Sequence, residues 1–228
     1  MPAPLPDSAL PPVVDEAAWR AAHEALLVRE KEVTRARDAL AAERRRMPMV
    51  PVRGEHRFVG PAGESGLLEL FDGRRQLVLY RHFFEPGVGD WPHSGCPGCA
   101  FFTDHVPNLA HVNARDTTFA LVSPADQERI AAVRKRMDWD VPWYTLVGDG
   151  FGQEFDVSEY FGINVFLRDD ADRVYRTYFT TARGSEAFTP TWSILDLTPL
   201  GRQEEWEDTP AGRPRTAPYQ WWRLHDEY

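Results

Sequence analysis

Cysteine and lysine are scarce in this sequence. Its 228 residues include two cysteines, too few for a disulfide-based scaffold. Acidic residues outnumber basic ones by 35 to 26, so the net charge is −9. Because the chain has no excess of basic residues, we do not expect it to bind nucleic acid or an anionic membrane surface.

Long apolar runs are also missing. No stretch approaches the roughly 18 consecutive apolar residues that suggest a membrane-spanning helix. Residues 1–16 are rich in proline and lack the basic region and apolar run of a signal peptide. We therefore expect a cytoplasmic protein with no membrane partner. With 43% apolar residues, the chain is long enough to form one domain with additions at its ends.

A long helix is predicted near the N-terminus, after a loosely ordered arm over residues 1–15. Residues 16–47 contain no glycine or proline, and apolar side chains recur there at intervals of seven: Trp19, Leu26, Val33 and Leu40. This stripe is narrow. The helix can therefore either pack on its own domain or pair with a second copy to form a homodimer.

Strand and helix patterns alternate in the rest of the chain. Apolar runs predict buried strands over residues 76–84 and 117–122. Hairpins are predicted over residues 163–180 and, before the first buried strand, over residues 49–59. The segments over residues 60–66 and 138–160 are expected to be loops. The order of strand, helix, strand, helix and hairpin predicts an α/β fold with a central mixed sheet flanked by helices.

Two helices are predicted between these strands. The first opens at Cys96 and ends near Asn113, with a kink at Pro107 because proline lacks a backbone donor. The second is predicted to begin with Ser123 as its N-cap and Pro124 as its first residue, and to end near Met137.

The two cysteines form the motif Cys96-Pro97-Gly98-Cys99 at the start of the first of these helices. Closely spaced thiols in a reducing compartment are more often catalytic or metal-binding than structural. A thiol attacks a disulfide as the thiolate, which unpaired N–H groups at a helix start stabilise. Cys99 lies one turn further along the same face. We therefore predict that Cys96 is the nucleophile and Cys99 the resolving thiol.

Two other interpretations of the cysteines stay open at this point. Both thiols could bind zinc together with two of three nearby histidines: His93, His105 and His111. They could also be inert core residues. No bound metal or cofactor is required by the redox interpretation.

Short motifs spread over nearly the whole chain are shared with one bacterial family. They are Leu26-Leu27, Glu30-Lys31-Glu32, Leu70-Phe71, Gln76-Leu77, Arg136-Met137, Pro142-Trp143, the segment LDLTPLGRQEEWED, Trp221-Trp222-Arg223 and the final His225-Asp226-Glu227-Tyr228. On these motifs the chain resembles the thioredoxin-like family of predicted dithiol-disulfide oxidoreductases.

This resemblance implies a thioredoxin-like fold. Residues 1–47 would form the arm and the long helix, residues 48–182 the thioredoxin-like domain with the CxxC site, and residues 183–228 an irregular, tryptophan-rich extension packed on the same domain. The implied activity is thiol–disulfide exchange with a protein or small-molecule thiol or disulfide. A non-catalytic binding module is an alternative, in which the C-terminal tryptophans contact a partner.

Part of the chain is also similar to peroxiredoxins, which makes a thiol peroxidase a further hypothesis. His93 stands where peroxiredoxins place Thr or Ser, and Ile163-Asn164 stands where they carry an arginine. The cis-proline of thioredoxins corresponds to a position near Asn164. Their buried acid has no counterpart on the strand, where the polar candidates are Tyr80, His82 and Glu85. We predict that His93 stabilises the Cys96 thiolate.

Overall fold

The computed structural model describes residues 10–87, 93, 95–157 and 160–228. Residues 1–9 of the predicted arm and residues 88–92 and 94 of the loop before Cys96 lie outside this range. The chain divides into two compact units. One comprises Met1–Pro48 and Leu195–Pro218, and the other comprises Met49–Ile194 and Tyr219–Tyr228. The second unit contains the sheet and both cysteines.

Eight strands form one mixed sheet. They are β1 (Val50–Pro51), β2 (Arg57–Gly60), β3 (Gly63–Gly66), β4 (Gln76–Arg81), β5 (Thr117–Ser123), β6 (Trp143–Val147), β7 (Gly162–Arg168) and β8 (Val174–Thr180). Their order across the sheet is β1-β8-β7-β4-β5-β6-β2-β3. Strands β4, β5 and β6 run parallel, and the remaining pairs are antiparallel.

Helices connect the parallel strands. The α-helices of the sheet-containing unit are α2 (Pro97–Thr103), α3 (Leu109–Asn113), α4 (Gln127–Arg136), α5 (Gly150–Glu154) and α6 (Pro190–Asp196), the last of which extends into the other unit. Parallel neighbours need such crossovers, whereas β7 and β8 are joined by a tight turn. Strand β4, helix α2, strand β5, helix α4 and the β7–β8 hairpin follow one another in the predicted order. This topology confirms the predicted thioredoxin-like fold.

Strand β4 is buried on both faces of the sheet, as its apolar run predicted. Leu77 and Leu79 belong to one hydrophobic cluster, and Tyr80 belongs to the cluster on the opposite face. Alternate residues of a strand point to opposite faces, so a central strand covered on both sides needs apolar residues at nearly every position. The C-terminal end of β4 therefore lies within the core, and its residue Tyr80 belongs to the same cluster as Cys99.

Two helix predictions were wrong in detail. The stretch after Cys96 forms α2 and α3 rather than one kinked helix, with Pro107 between them. Helix α4 is capped by Asp126, whose carboxylate accepts a hydrogen bond from the Arg129 N–H at 2.8 Å. Ser123 instead ends strand β5, where its hydroxyl accepts a hydrogen bond from the buried Trp143 indole at 2.9 Å.

The edges of the sheet also differ from the prediction. Strands β1 and β2 do not pair with each other: β1 pairs with β8, and β2 pairs with β3 and β6. Residues 60–66, expected to be a loop, include β3, and the expected loop over residues 138–160 includes β6 and α5. The edge strands β1 and β3 are short and carry few apolar residues, so tertiary pairing rather than local pattern defines them.

The N-terminal helix α1 (Glu16–Arg44) has no buried residue. The Asp15 carboxylate caps it by accepting a hydrogen bond from the Ala18 N–H at 2.8 Å. The four residues of the predicted stripe, Trp19, Leu26, Val33 and Leu40, are each at least half exposed, from 50% to 60%. Among the described residues, this stripe is therefore not buried. No helix in the described part of the chain is long and apolar enough to cross a membrane.

Candidate functional site

The two cysteines lie where strand β4 ends and helix α2 begins. Cys96 is the N-cap of α2, and Pro97 is its first residue, where no backbone donor is needed. The Cys96 N–H donates a hydrogen bond to the Phe83 carbonyl at 2.9 Å, and the Phe83 N–H donates to the Cys99 sulfur at 3.4 Å. Both thiols are thus held to the segment that follows β4.

Glycine is required just before the motif. Gly95 has a φ of +72°, and a Cβ there would lie 2.9 Å from the Phe83 carbonyl oxygen. A side chain would both strain this backbone and collide with the segment that holds the cysteines. Gly95 therefore allows the chain to approach Phe83 closely enough for the Cys96 hydrogen bond.

Cys96 is partly exposed, and its surroundings favour the thiolate. The Cys99 thiol donates a hydrogen bond to the Cys96 sulfur, and the backbone N–H groups of Gly98 and Cys99 add to this effect. Together they outweigh partial burial and lower the pKa of Cys96 from 9.0 to about 7. Backbone donors at the start of α2 and the second thiol account for the shift.

Cys99 has the opposite environment. It is 1% exposed, and the two cysteines lie 4.1 Å apart without a disulfide between them. Burial, followed by the hydrogen bond to Cys96, raises the pKa of Cys99 well above its ordinary value. The Tyr80 hydroxyl also hydrogen-bonds Cys99, and burial raises the pKa of Tyr80 as well. The pair therefore consists of one activated thiol and one that is buried and protonated.

The polar candidates beneath the thiols have separate roles. Tyr80 contacts Cys99, whereas Glu85 forms an ion pair with the buried Arg81. His82 is fully buried, and burial, with a contribution from the Arg81 charge, lowers the pKa of His82 to about 3. Its Nδ1 lies 3.4 Å from the Thr103 hydroxyl, which donates to the Cys99 carbonyl at 2.8 Å. His82 is thus a neutral residue that contacts Thr103, the last residue of α2.

An apolar cavity of about 310 Å³ opens beside the two sulfurs. Seven of its fifteen lining residues are aromatic: Tyr80, Phe101, Phe102, Phe161, Trp192, Tyr219 and Trp222. Trp222 packs directly on the motif, since a Cβ on Gly98 would overlap the indole ring. The Trp222 ring also stacks on Phe101, with ring centroids 5.5 Å apart. The C-terminal aromatic residues therefore complete the wall of the thiol site.

The three C-terminal tryptophans have different environments. Trp221 contacts Phe101 and Trp192 edge-on, at 5.6 Å in each case, but does not line the cavity. Trp206, in the other unit, is 46% exposed, and its indole N–H donates to Glu204 at 2.6 Å. Trp222 lies against the cysteine motif.

The position that faces the cysteines is offset from the sequence-based expectation. Asn164 is buried within β7, opposite Leu79, and donates a hydrogen bond to the Phe155 carbonyl at 3.4 Å. The residue of this segment that lines the cavity with Cys96 is Phe161, just before β7. The described residues contain no cis peptide bond. The position of Phe161 could have been found by counting back from the predicted hairpin. Its local sequence, however, does not identify it as a residue of the thiol site.

The three predicted histidines differ in exposure, since His93 and His111 are exposed and His105 is partly buried. His93 is exposed in a turn, and its predicted effect on the thiolate stays a prediction. Both ring nitrogens of His105 have partners, the Phe101 carbonyl at 2.5 Å and the Thr191 hydroxyl at 2.6 Å. Over the described ranges, no group of three His, Cys, Asp or Glu side chains lies close enough to hold a metal ion.

These features define the class of protein: a thioredoxin-fold chain with a dithiol at the start of the helix that follows its first central strand. The family is shown by a family model that matches residues 8–228. The chain belongs to DUF899, a family described as a bacterial protein of unknown function. A search of curated proteins finds no match.

Solved structures that resemble this chain share little sequence with it. A thiol:disulfide interchange protein from Bacteroides sp. is 10% identical, covers 66% of this chain and 91% of its own, and has a TM-score of 0.40. A thiol:disulfide interchange protein of the thioredoxin family from Chlorobium tepidum TLS is 12% identical, with coverages of 65% and 95% and a TM-score of 0.39. Peroxidoxin BcpB from Mycobacterium tuberculosis is 14% identical, with coverages of 64% and 96% and a TM-score of 0.40.

Proposed function

We propose that this protein is a thiol-disulfide oxidoreductase that cycles between the Cys96–Cys99 dithiol and disulfide. The observation that carries the proposal is the asymmetry of the pair. Cys96 is partly exposed and has a pKa of about 7. Cys99, which lies 4.1 Å from Cys96, is buried and has a raised pKa. In an inert pair of core cysteines we would expect neither thiol to have a lowered pKa and to line a cavity, as Cys96 does.

The reaction follows from this asymmetry. The Cys96 thiolate attacks one sulfur of a substrate disulfide, whose S–S bond breaks, and the released thiolate takes up a proton. Cys99 then loses its proton and attacks the Cys96 sulfur, which releases the second substrate thiol. The substrate disulfide gains two electrons, and the protein dithiol is oxidised to a disulfide. The reverse reaction oxidises a substrate dithiol.

Cysteine variants test this order of events. Cys99→Ser should retain the first attack and accumulate a mixed disulfide at Cys96, whereas Cys96→Ser should show no exchange. Stopped-flow oxidation of the reduced protein by a small disulfide, followed by mass analysis, measures both outcomes. Equal exchange rates in wild type and Cys96→Ser would overturn the proposal.

The same experiment separates the thiol peroxidase hypothesis. Peroxide would convert Cys96 to a sulfenic acid, with which Cys99 condenses to give the disulfide and water. Fast oxidation by peroxide together with slow exchange with a disulfide would favour the peroxidase. Fast disulfide exchange with slow peroxide oxidation is expected for the oxidoreductase.

We further propose that α1 pairs with α1 of a second copy in an antiparallel homodimer. Its apolar stripe is exposed along the whole helix, and its ends carry opposite charges. Asp15 and Glu16 lie at the start, and the run Arg44-Arg45-Arg46 at the end. Antiparallel pairing brings acids against arginines, whereas parallel pairing brings like charges together.

We also propose that the protein is cytoplasmic. A reducing compartment would return the Cys96–Cys99 disulfide to the dithiol after each cycle.

A further inference from the structure

The aromatic cavity beside Cys96 belongs to no step of the exchange reaction itself, which needs only two sulfurs and a substrate disulfide. Its volume of about 310 Å³ lies at the lower end of the range for small-molecule pockets, roughly 300 to 1,000 Å³. A cavity of this size accepts one compact apolar group but not an extended peptide. The site therefore has room for part of a small substrate.

The two oppositely charged side chains at the cavity are paired with each other. Arg183 forms an ion pair with Glu186, with Nε and Oε1 3.1 Å apart, and the Tyr219 hydroxyl donates to the same carboxylate at 3.3 Å. Because these two charges cancel, the Cys96 thiolate is the charge that remains in the lining, and it would repel an anionic substituent. An uncharged apolar substituent suits this lining better than a charged one.

Trp222 connects the cavity to the reacting sulfurs. Its ring packs on Gly98, between the two cysteines, and both sulfur-bearing residues line the same cavity. A group bound against Trp222 would hold an attached sulfur next to Cys96. Such positioning accelerates attack because the reacting atoms are already close together.

We infer that the substrate is a low-molecular-weight disulfide or thiol with an uncharged apolar or aromatic substituent that binds in this cavity. The inference rests on the proposed function. The Cys96 thiolate forms the mixed disulfide while the substituent occupies the cavity, and Cys99 then releases the substrate thiol, as in the reaction above. A polar peptide disulfide would place no group in the cavity, so the cavity would not accelerate its reaction with Cys96.

The test compares stopped-flow rates of oxidation of the reduced protein by dibenzyl disulfide, bis(2-hydroxyethyl) disulfide and oxidised glutathione at constant cosolvent. Each rate is divided by the rate of the same disulfide with N-acetylcysteine, which removes intrinsic reactivity. We expect the normalised rate with dibenzyl disulfide to exceed the other two by about tenfold or more, since one buried apolar group commonly gives such discrimination. Toluene should compete with dibenzyl disulfide only.

Matched variants locate the effect. Trp222→Ala should abolish the preference for dibenzyl disulfide, whereas Trp221→Ala, which changes a neighbouring indole outside the cavity, should retain it. If Trp222→Ala does not fold, competition by toluene in the wild type decides the question. Equal normalised rates for all three disulfides, or no effect of toluene, would overturn the inference and leave the exchange function intact. If no disulfide oxidises the protein, the proposed function itself fails.

Discussion

Removal of the Cys99 thiol should make Cys96 less acidic, because the largest contribution to its lowered pKa is the hydrogen bond from that thiol. In Cys99→Ala the backbone N–H groups of residues 98 and 99 still lower the pKa of Cys96, and partial burial still raises it. The pKa of Cys96 should then lie above its wild-type value of about 7. Cys99→Ser is the matched control, since a hydroxyl can still donate a hydrogen bond to the sulfur.

The size of the effect on reactivity follows from the thiolate fraction. At about pH 7, a thiol with a pKa of about 7 is roughly half ionised, whereas one with a pKa of 9.0 is about 1% ionised. The gain in thiolate is therefore roughly 50-fold. A more acidic thiolate is less nucleophilic, which for two pKa units costs roughly 6- to 10-fold. Cys96 should therefore react about five to eight times faster than an unperturbed thiol.

The assay is the pH dependence of alkylation, with each cysteine followed by peptide mass analysis. In the wild type, the rate at Cys96 should rise with pH to a plateau with a midpoint of about 7. Cys99, which is buried with a raised pKa, should stay unmodified in the folded protein. In Cys99→Ala the midpoint should move upward by at least about half a unit. An unchanged midpoint in this variant, or equal alkylation of both wild-type cysteines, would refute the argument.

Two further predictions concern the helix and the buried histidine. If α1 pairs with a second copy as proposed, replacement of Leu26 and Val33 by Glu should give a monomer with an unchanged circular dichroism spectrum, because both residues are exposed within one chain. A wild type that sediments as a monomer would contradict the pairing of α1. His82, with a pKa of about 3 in the fold and 6.5 unfolded, binds a proton only in the unfolded chain between these values. Stability should therefore fall as the pH drops below about 6.5, by about 2 kcal/mol at about pH 5. Urea unfolding of wild type and His82→Gln at about pH 6.5 and about pH 5 measures this loss of unfolding free energy. An equal loss in the variant would contradict the prediction.

The central elements of the fold could be predicted from the sequence because their local signals agree with their tertiary environment. The apolar run of β4 and the hairpin of β7 and β8 are local patterns of buried strands. The pairing of the outer strands could not be predicted, since β1 pairs with β8 and β2 pairs with β6, in each case with a partner far along the chain. Asp126 rather than Ser123 caps helix α4. The Ser123 hydroxyl instead accepts a hydrogen bond from the Trp143 indole, a contact that forms only when the chain folds.

For the site, the sequence by itself determined the motif, its place between strand and helix, and the positions of the two thiols. A CxxC motif with proline after the first cysteine puts one sulfur at the helix start and the other a turn inward, whatever surrounds it. Tertiary structure decided which sulfur is buried, because Tyr80 and Phe83 reach Cys99 only across the folded core. It also decided that Trp222, more than a hundred residues away, covers Gly98. Aromatic side chains carry no sequence signal for the surface on which they pack, so the cavity exists only once the chain has folded.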